Sequence, residues 1–201
     1  SLQAEDEPFN QPYDHAMEVC AALENRDLKD RVRWYTVCTP NDLTEELAQA
    51  MARAGCQGID MRIDSGDSEH LARMGHTHTP DDIINAARWC REAGILTLFN
   101  VVIGGPGESR SSIEKTINLT KAADPDMVSV QYGLRVYPNT QLGSAVKQHT
   151  PLRDNFHLRG AIYNNDNLMR PVFYIESLLG RGVEEYIEEL IDHDPKYLFP
   201  F

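Results

Sequence analysis

Positive charge is scarce in this chain: 19 Lys and Arg stand against 31 Asp and Glu, a formal net charge of −12 with His neutral. That balance sets the default partner against nucleic acid and anionic membrane, both of which attract excess cations. Long apolar runs are lacking too. None approaches the roughly 20 residues of a spanning helix, and no basic segment followed by an apolar one opens the chain, so nothing marks a membrane span or export. Cysteine is sparse and scattered: Cys20, Cys38, Cys56 and Cys90 form neither a CxxC nor a CxxxCxxC group. No zinc or iron–sulfur ligand set is indicated within these residues, and the four read as small buried side chains of a cytoplasmic protein. What is present is 41% hydrophobic residues in a chain of 201. That suffices for one domain, or one domain with an extension, to bury a core.

The chain is organised around Ile95–Glu108, ILTLFNVVIGGPGE. Its first half is too rich in β-branched and aromatic residues for a comfortable helix and reads as a buried strand. The strand stops in Gly104-Gly105-Pro106-Gly107-Glu108. Glycines there let the backbone turn sharply and approach a ligand, and Pro106 fixes one φ. Ligands of α/β proteins sit at the carboxyl ends of strands, where this loop would lie. A tight strand-to-helix turn without a ligand would use the same residues.

Around that stretch the periods alternate. Residues 1–10 are irregular and acidic, and so abrupt a start reads as a piece of a longer chain. A helix runs from Asp14 to about Asn25, a short strand over Val32–Thr39, and a helix begins at one of the rival caps Asn41, Asp42 and Thr44. Cys56–Asp64 has strand period, with Ile59, Met61 and Ile63 on one face and Asp60, Arg62 and Asp64 on the other. The polar face points into a lumen, or lies on a solvated edge strand. Thr79-Pro80-Asp81-Asp82 starts a helix that ends at Gly94. Another helix follows Glu108 to about Ala123, and Met127–Tyr137 is the next alternating strand. A short helix covers Gln141–Lys147, Gln148–Arg170 reads as loop, and a last amphipathic helix carries Val183, Ile187 and Ile191. The alternation means α/β architecture, with parallel strands and right-handed crossovers. Two strands with a polar face favour a partial (β/α) barrel wall, with too few strands to close. His76-x-His78 lacks a third convergent ligand and is not assigned to metal.

Taken in order, Asp6-Glu7-Pro8-Phe9-Asn10, Ala54-Gly55-Cys56, Ile63-Asp64-Ser65-Gly66 with Met74-Gly75-His76, and Gly104–Glu108 resemble the radical S-adenosylmethionine enzymes. The match is nearest to the subgroup that also carries a cobalamin-binding domain. It covers about residues 5–145, with a looser echo through Pro171–Leu179. The resemblance implies a six-stranded partial barrel, of which residues 1–147 would supply about four βα units and 148–201 a loop and helix extension. It implies S-adenosylmethionine and a 4Fe–4S cluster as cofactors. The cluster ligands would lie outside this chain, and whether cobalamin is used stays open. In such enzymes the cluster chelates the methionine amino and carboxylate groups, and reduction releases a 5′-deoxyadenosyl radical.

Position by position, the resemblance sets Glu7 against the methionine amino group, and Asp64 and Ser65 against ribose or the methionine carboxylate. Ile103, Gly104, Gly105, Gly107 and Glu108 fall beside adenine. Gln131 falls on the strand-six wall of the same pocket, with Arg62 and Arg135 as candidates for a substrate anion or carboxylate. No catalytic residue is identified. Three departures stand out: the cluster cysteines are missing, Asp64 replaces the usual Glu, and Arg62 stands where Gly is common. The expectation is the carboxyl-terminal part of a radical enzyme of methyl transfer or rearrangement, itself inactive, acting on a small molecule and prone to self-association through exposed strand edges. The alternatives are a silent module that binds an adenosyl ligand or a partner, and a barrel of ordinary polar chemistry using the glycine-rich loop as an anion site.

Overall fold

The computed structural model describes residues 2–4, 8–26, 32–149 and 151–199. Along the chain come β1 (Leu2–Ala4), α1 (Tyr13–Asn25), β2 (Trp34–Cys38), α2 (Glu45–Arg53), β3 (Cys56–Asp64), α3 (Ser68–Met74), α4 (Pro80–Ala93), β4 (Leu96–Ile103), α5 (Arg110–Ala123) and β5 (Met127–Tyr132). They are followed by β6 (Leu134–Arg135), α6 (Gln141–His149), β7 (Leu158–Gly160), β8 (Val172–Tyr174), α7 (Val183–Ile191) and β9 (Tyr197–Leu198). Among the described residues the main sheet is open, in the order β1-β2-β3-β4-β5-β9. Every neighbouring pair in it is parallel. Strand order follows chain order through β5, as βα units laid side by side require. The architecture is the expected α/β partial barrel. No helix among the described residues is long and apolar enough to cross a membrane.

The sheet has two unlike faces because the strands alternate. Ile59, Met61 and Ile63 of β3, Phe99, Val101 and Ile103 of β4, and Val128 and Val130 of β5 are buried in one core with Leu47, Ile83, Ile113 and Ile117 from the helices. Each such side chain is worth about 1.5–3 kcal/mol when fully buried. The opposite face carries Asp60, Arg62, Leu98, Asn100, Val102, Ser129 and Gln131, all half-buried or exposed. β4 therefore buries one face only, unlike the fully buried strand its apolar run suggests; Asn100 sits where the alternation turns outward.

Helix starts follow local chemistry. Thr44 wins over its rivals, its side chain accepting from Leu47 N–H at 3.1 Å, while Pro40–Asp42 forms a separate 3₁₀ turn. Thr79 and Asp82 form a reciprocal capping box on α4, worth about 1 kcal/mol. Three expectations are corrected. Leu2–Ala4 is a strand paired with β2, not irregular chain. Met127–Tyr137 is not one strand: Gly133 adopts φ +92°, ends β5 and sends β6 into a second sheet. That sheet is antiparallel, in the order β6-β8-β7, so the supposed loop 148–170 contains a strand. At the sheet edge Tyr197 and Leu198 pair with Val128 and Ser129.

Candidate functional site

The polar face of the sheet converges at the carboxyl ends of β3, β4 and β5. Arg62 pairs in register with Asn100, and Asn100 with Ser129; one row further, Val102 pairs with Gln131. With Asp64 these residues line a cavity of about 190 Å³. That is below the roughly 300–1,000 Å³ of complete small-molecule sites, as one wall of a site would be. The Asn100 amide is held by the Asp60 carboxylate. Gln131 Nε2 donates to Gly133 O at 3.0 Å, which leaves its side-chain carbonyl for a ligand. Among the described residues Arg62 has no hydrogen-bond or charged partner, and its side chain is exposed.

A bulge places Asp64 on the rim. The β3–β4 register shifts between Arg62 and Asp64, and Asp64 takes φ +53°, a left-handed conformation that Asp tolerates better than most residues. Its Oδ2 lies 2.7 Å from His76 Nε2. His76 thus joins the site, and its neighbour His78 is anchored on Ile63 O at 3.1 Å. Ser65 does not face the lumen. It is fully buried, its hydroxyl 3.1 Å from that of Thr116 and accepting from Asp67 N–H at 3.1 Å. Its hydroxyl ties β3 to α5 and is not offered to ribose.

The glycine-rich loop is held from below and from outside. Glu108 folds back beneath it, accepting from the N–H of Gly104 and, at 3.1 Å, of Gly105. The N–H of Glu108 donates to Gly105 O at 3.1 Å. Gly107 N–H donates to Glu176 at 2.7 Å, and Arg73 donates to Gly107 O at 2.7 Å. These amides are taken within the protein, so the loop is no anion cradle, and the polar-chemistry reading loses its premise. What remains is a closely packed turn: a Cβ at Gly105 would meet His70 at 3.1 Å, and one at Gly107 would meet Arg73 at 2.7 Å. Only glycine fits comfortably at Gly104, with φ +108° and a would-be Cβ 3.3 Å from Gly133 N.

Glu108 therefore belongs to the underside of the loop and is fully buried there. Burial pushes its carboxyl up to about 7, against the opposing pull of the two glycine N–H groups. His70, also buried, lies with Nε2 3.9 Å from Glu108 Oε2, and burial pushes its imidazole below the ordinary range. Neither His70 nitrogen nor Glu108 Oε1 has a hydrogen-bond partner among the described residues. The Ile103 side chain is buried on the helix side, and its carbonyl accepts from Gly133 N–H at 2.7 Å. Any part it plays in the pocket is through its backbone.

Arg135 leaves the wall to which Gln131 belongs. Because the chain breaks at Gly133, it lies in the small antiparallel sheet, its guanidinium 5.1 Å from the centre of the Tyr137 ring and 5.9 Å from that of Phe173. Glu7 lies outside the described residues. Besides His76, three site residues escaped the sequence reading. Asn100 was legible in the alternation of β4, Ser129 in that of β5, whereas Glu176 lies 69 residues from the loop it touches. Two larger cavities, of about 580 Å³ along β5 and 730 Å³ between the small sheet and the start of α7, share Tyr132, Phe173 and Glu184. Gln131 lines both the first of these and the lumen cavity.

Among the described residues an iron–sulfur cluster finds no ligand set. The four cysteines are buried and unpaired; burial pushes the Cys20 thiol up to about 11 and those of Cys56 and Cys90 up to about 12. Cluster ligation needs thiolates. Among the described residues no three His, Cys, Asp or Glu side chains gather as metal ligands. The lumen row offers amides, a hydroxyl and charge, the kinds of group that hydrogen-bond a nucleoside.

Comparison with known proteins agrees with this geometry. A profile described as the radical SAM superfamily matches residues 4–120. An uncharacterized methyltransferase of Pyrococcus horikoshii is 27% identical over 137 residues, 68% of this chain and 29% of the relative. A tryptophan 2-C-methyltransferase of Streptomyces laurentii is 24% identical over 160 residues, 73% of this chain and 26% of the relative. Among solved structures, the radical S-adenosylmethionine methyltransferase TsrM from Kitasatospora setae, with cobalamin and a [4Fe-4S] cluster bound, superposes with a TM-score of 0.84 at 23% identity. That superposition covers 99% of this chain and 46% of TsrM, so the chain spans less than half the length of these relatives. The matched profile, the open parallel sheet and the glycine-rich loop at its carboxyl edge agree: this chain belongs to the radical SAM superfamily, whose members use S-adenosylmethionine and a [4Fe–4S] cluster.

Proposed function

We propose that this chain forms the S-adenosylmethionine and substrate wall of a radical S-adenosylmethionine methyltransferase. The cluster of that enzyme would be held by residues outside these 201. The observation that carries the reading is the lumen row of Arg62, Asn100, Ser129 and Gln131 beside the glycine-rich loop. Two similar relatives described as methyltransferases, and the likeness of fold to a cobalamin-containing one, support the choice of reaction.

When bound, a [4Fe–4S] cluster would supply reducing electrons, and cobalamin would supply a methyl-accepting centre. This chain's residues bind and orient. Gln131, pinned through its nitrogen, presents an oxygen acceptor, and Ser129 a hydroxyl, to the adenosyl edge or ribose. Arg62 supplies an unpaired cation for a carboxylate. Asp64, steadied by His76, supplies an acceptor for the ribose diol or an ammonium group. The methyl acceptor would reach the lumen past Gln131, from the larger cavity along β5.

The test is to express the reading frame encoding this chain without oxygen, reconstitute it with iron, sulfide and cobalamin, and add S-adenosylmethionine with a reductant. The expected result is bound iron and turnover of S-adenosylmethionine to S-adenosylhomocysteine. Release of 5′-deoxyadenosine alone would favour a rearrangement over methyl transfer. A protein that binds neither iron nor S-adenosylhomocysteine would end the reading.

A further inference from the structure

The glycine-rich loop is shaped by a segment that lies far from it in sequence and outside the barrel strands. Glu176 follows β8 and is buried against the loop. Its backbone N–H donates to Gly104 O at 2.9 Å, and its Oε2 accepts from Gly107 N–H at 2.7 Å. One residue thus grips both ends of the Gly104–Gly107 turn. The grip is itself braced. Oε1 accepts from Leu178 N–H at 3.2 Å and Ser177 Oγ–H at 3.3 Å, and Tyr174 O–H donates to Oε2 at 3.3 Å. His157 stacks on the Tyr174 ring at 4.9 Å, with Nδ1 3.9 Å from Oε1. Burial alone would raise the carboxyl of Glu176, but the amides of Gly107 and Leu178 and the nearby imidazole hold it below the usual range. A charged acceptor so well supplied with donors is a strong anchor for a backbone amide.

We propose that Glu176 is a positioning residue for adenosyl binding: its carboxylate and amide fix the glycine-rich loop in the conformation that meets the ligand. Without that acceptor, Gly107 N–H loses its partner, and a turn containing three glycines gains conformations other than the one that meets the ligand. The alignment of the ligand then depends on a residue that need not touch it. This inference rests on the reading of the lumen as an adenosyl site, and its test separates the two.

Glu176→Ala and Glu176→Gln are compared with the wild-type protein by calorimetric titration of S-adenosylhomocysteine, and by amide hydrogen exchange across Ile103–Glu108. Glu176→Ala should weaken the nucleoside about tenfold or more and speed exchange at Gly107 about as much, while amides in the middle of β4 keep their protection. Glu176→Gln, which retains one oxygen acceptor, should recover most of the affinity. Where both variants turn over, KM for S-adenosylmethionine should rise with kcat little changed. Unchanged affinity and unchanged exchange in Glu176→Ala would overturn the proposal, as would a Gln variant no better than Ala. Should wild-type protein bind no S-adenosylhomocysteine, the adenosyl reading fails, and positioning of the loop is still decided by exchange at Gly107 in the two variants.

Discussion

Glu108→Gln isolates the effect of burying a carboxyl under the glycine-rich loop. Its folded pKa is about 7 against an ordinary 4.5, chiefly through burial. The folded state therefore holds a proton that the unfolded chain releases across that interval. Stability from this group is intact below about 4.5 and is lost as pH rises through about 7. A rise of that size amounts to about 3 kcal/mol once the carboxyl is ionised. For a protein of this length that is roughly 6–12 °C in melting temperature. The facing groups work in the other direction or hold still. His70, with its pKa lowered by burial, contributes stability above its ordinary 6.5 that is lost as pH falls. Asp67 is already paired with Lys115 at 2.5 Å. Glutamine keeps the oxygen that accepts from Gly104 and Gly105, but cannot ionise. Urea unfolding followed by circular dichroism from pH 5 to pH 8 should therefore show the variant gaining about 2–3 kcal/mol on wild type across that range. Parallel curves, or a variant weaker at pH 8, would mean the carboxylate is ionised and used in the folded protein, and would refute the reasoning.

Other substitutions read other parts of the structure. Gly66→Ala would set a Cβ 2.8 Å from Lys115 O and from Thr116 Cα; backbone cannot yield as a side chain can, so a loss of about 3 kcal/mol is expected by urea unfolding. Gly107→Ala meets only the flexible end of Arg73, at 2.7 Å, but must hold φ +75°, and should lose about 1–2 kcal/mol in the same assay. Arg62→Ala should leave stability within about 0.5 kcal/mol of wild type and weaken S-adenosylhomocysteine about tenfold by calorimetry. Native protein at pH 7 should react slowly with a thiol reagent, since all four cysteines are buried, and rapidly once denatured; a fast native thiol would contradict that placement.

Strand periodicity carried most of what could be read from the residues alone. In β3 the alternation of Ile59, Met61 and Ile63 with Asp60, Arg62 and Asp64 named both the core face and the polar wall, and the structure keeps both. The same signal lay in β4, where Asn100 interrupts an apolar run at an outward position; the run's hydrophobicity hid it, because Leu98 and Val102 line the same face. Where conformation overrode periodicity, reading failed. Met127–Tyr137 alternates throughout, yet Gly133 breaks it at φ +92°, and Arg135 leaves the wall with it. Ser65 carried the right chemistry for a ligand but spends it on Thr116 and Asp67.

The hold on the glycine-rich loop shows the limit most clearly. From sequence, five residues in a row suggest a surface that meets a ligand through its own N–H groups. In the fold, Glu108 takes two of those groups from beneath, and Glu176 takes a third from a segment 69 positions away. Local chemistry could reveal the first, since Glu108 is three or four residues from its donors. It could not reveal the second, whose partner is fixed only once the small antiparallel sheet has folded against Gly104 and Gly133. A loop whose amides are all engaged keeps no N–H with which to hold an anion. In the proposed site the charged groups are Arg62 and Asp64, both on β3, whose alternation did make them legible.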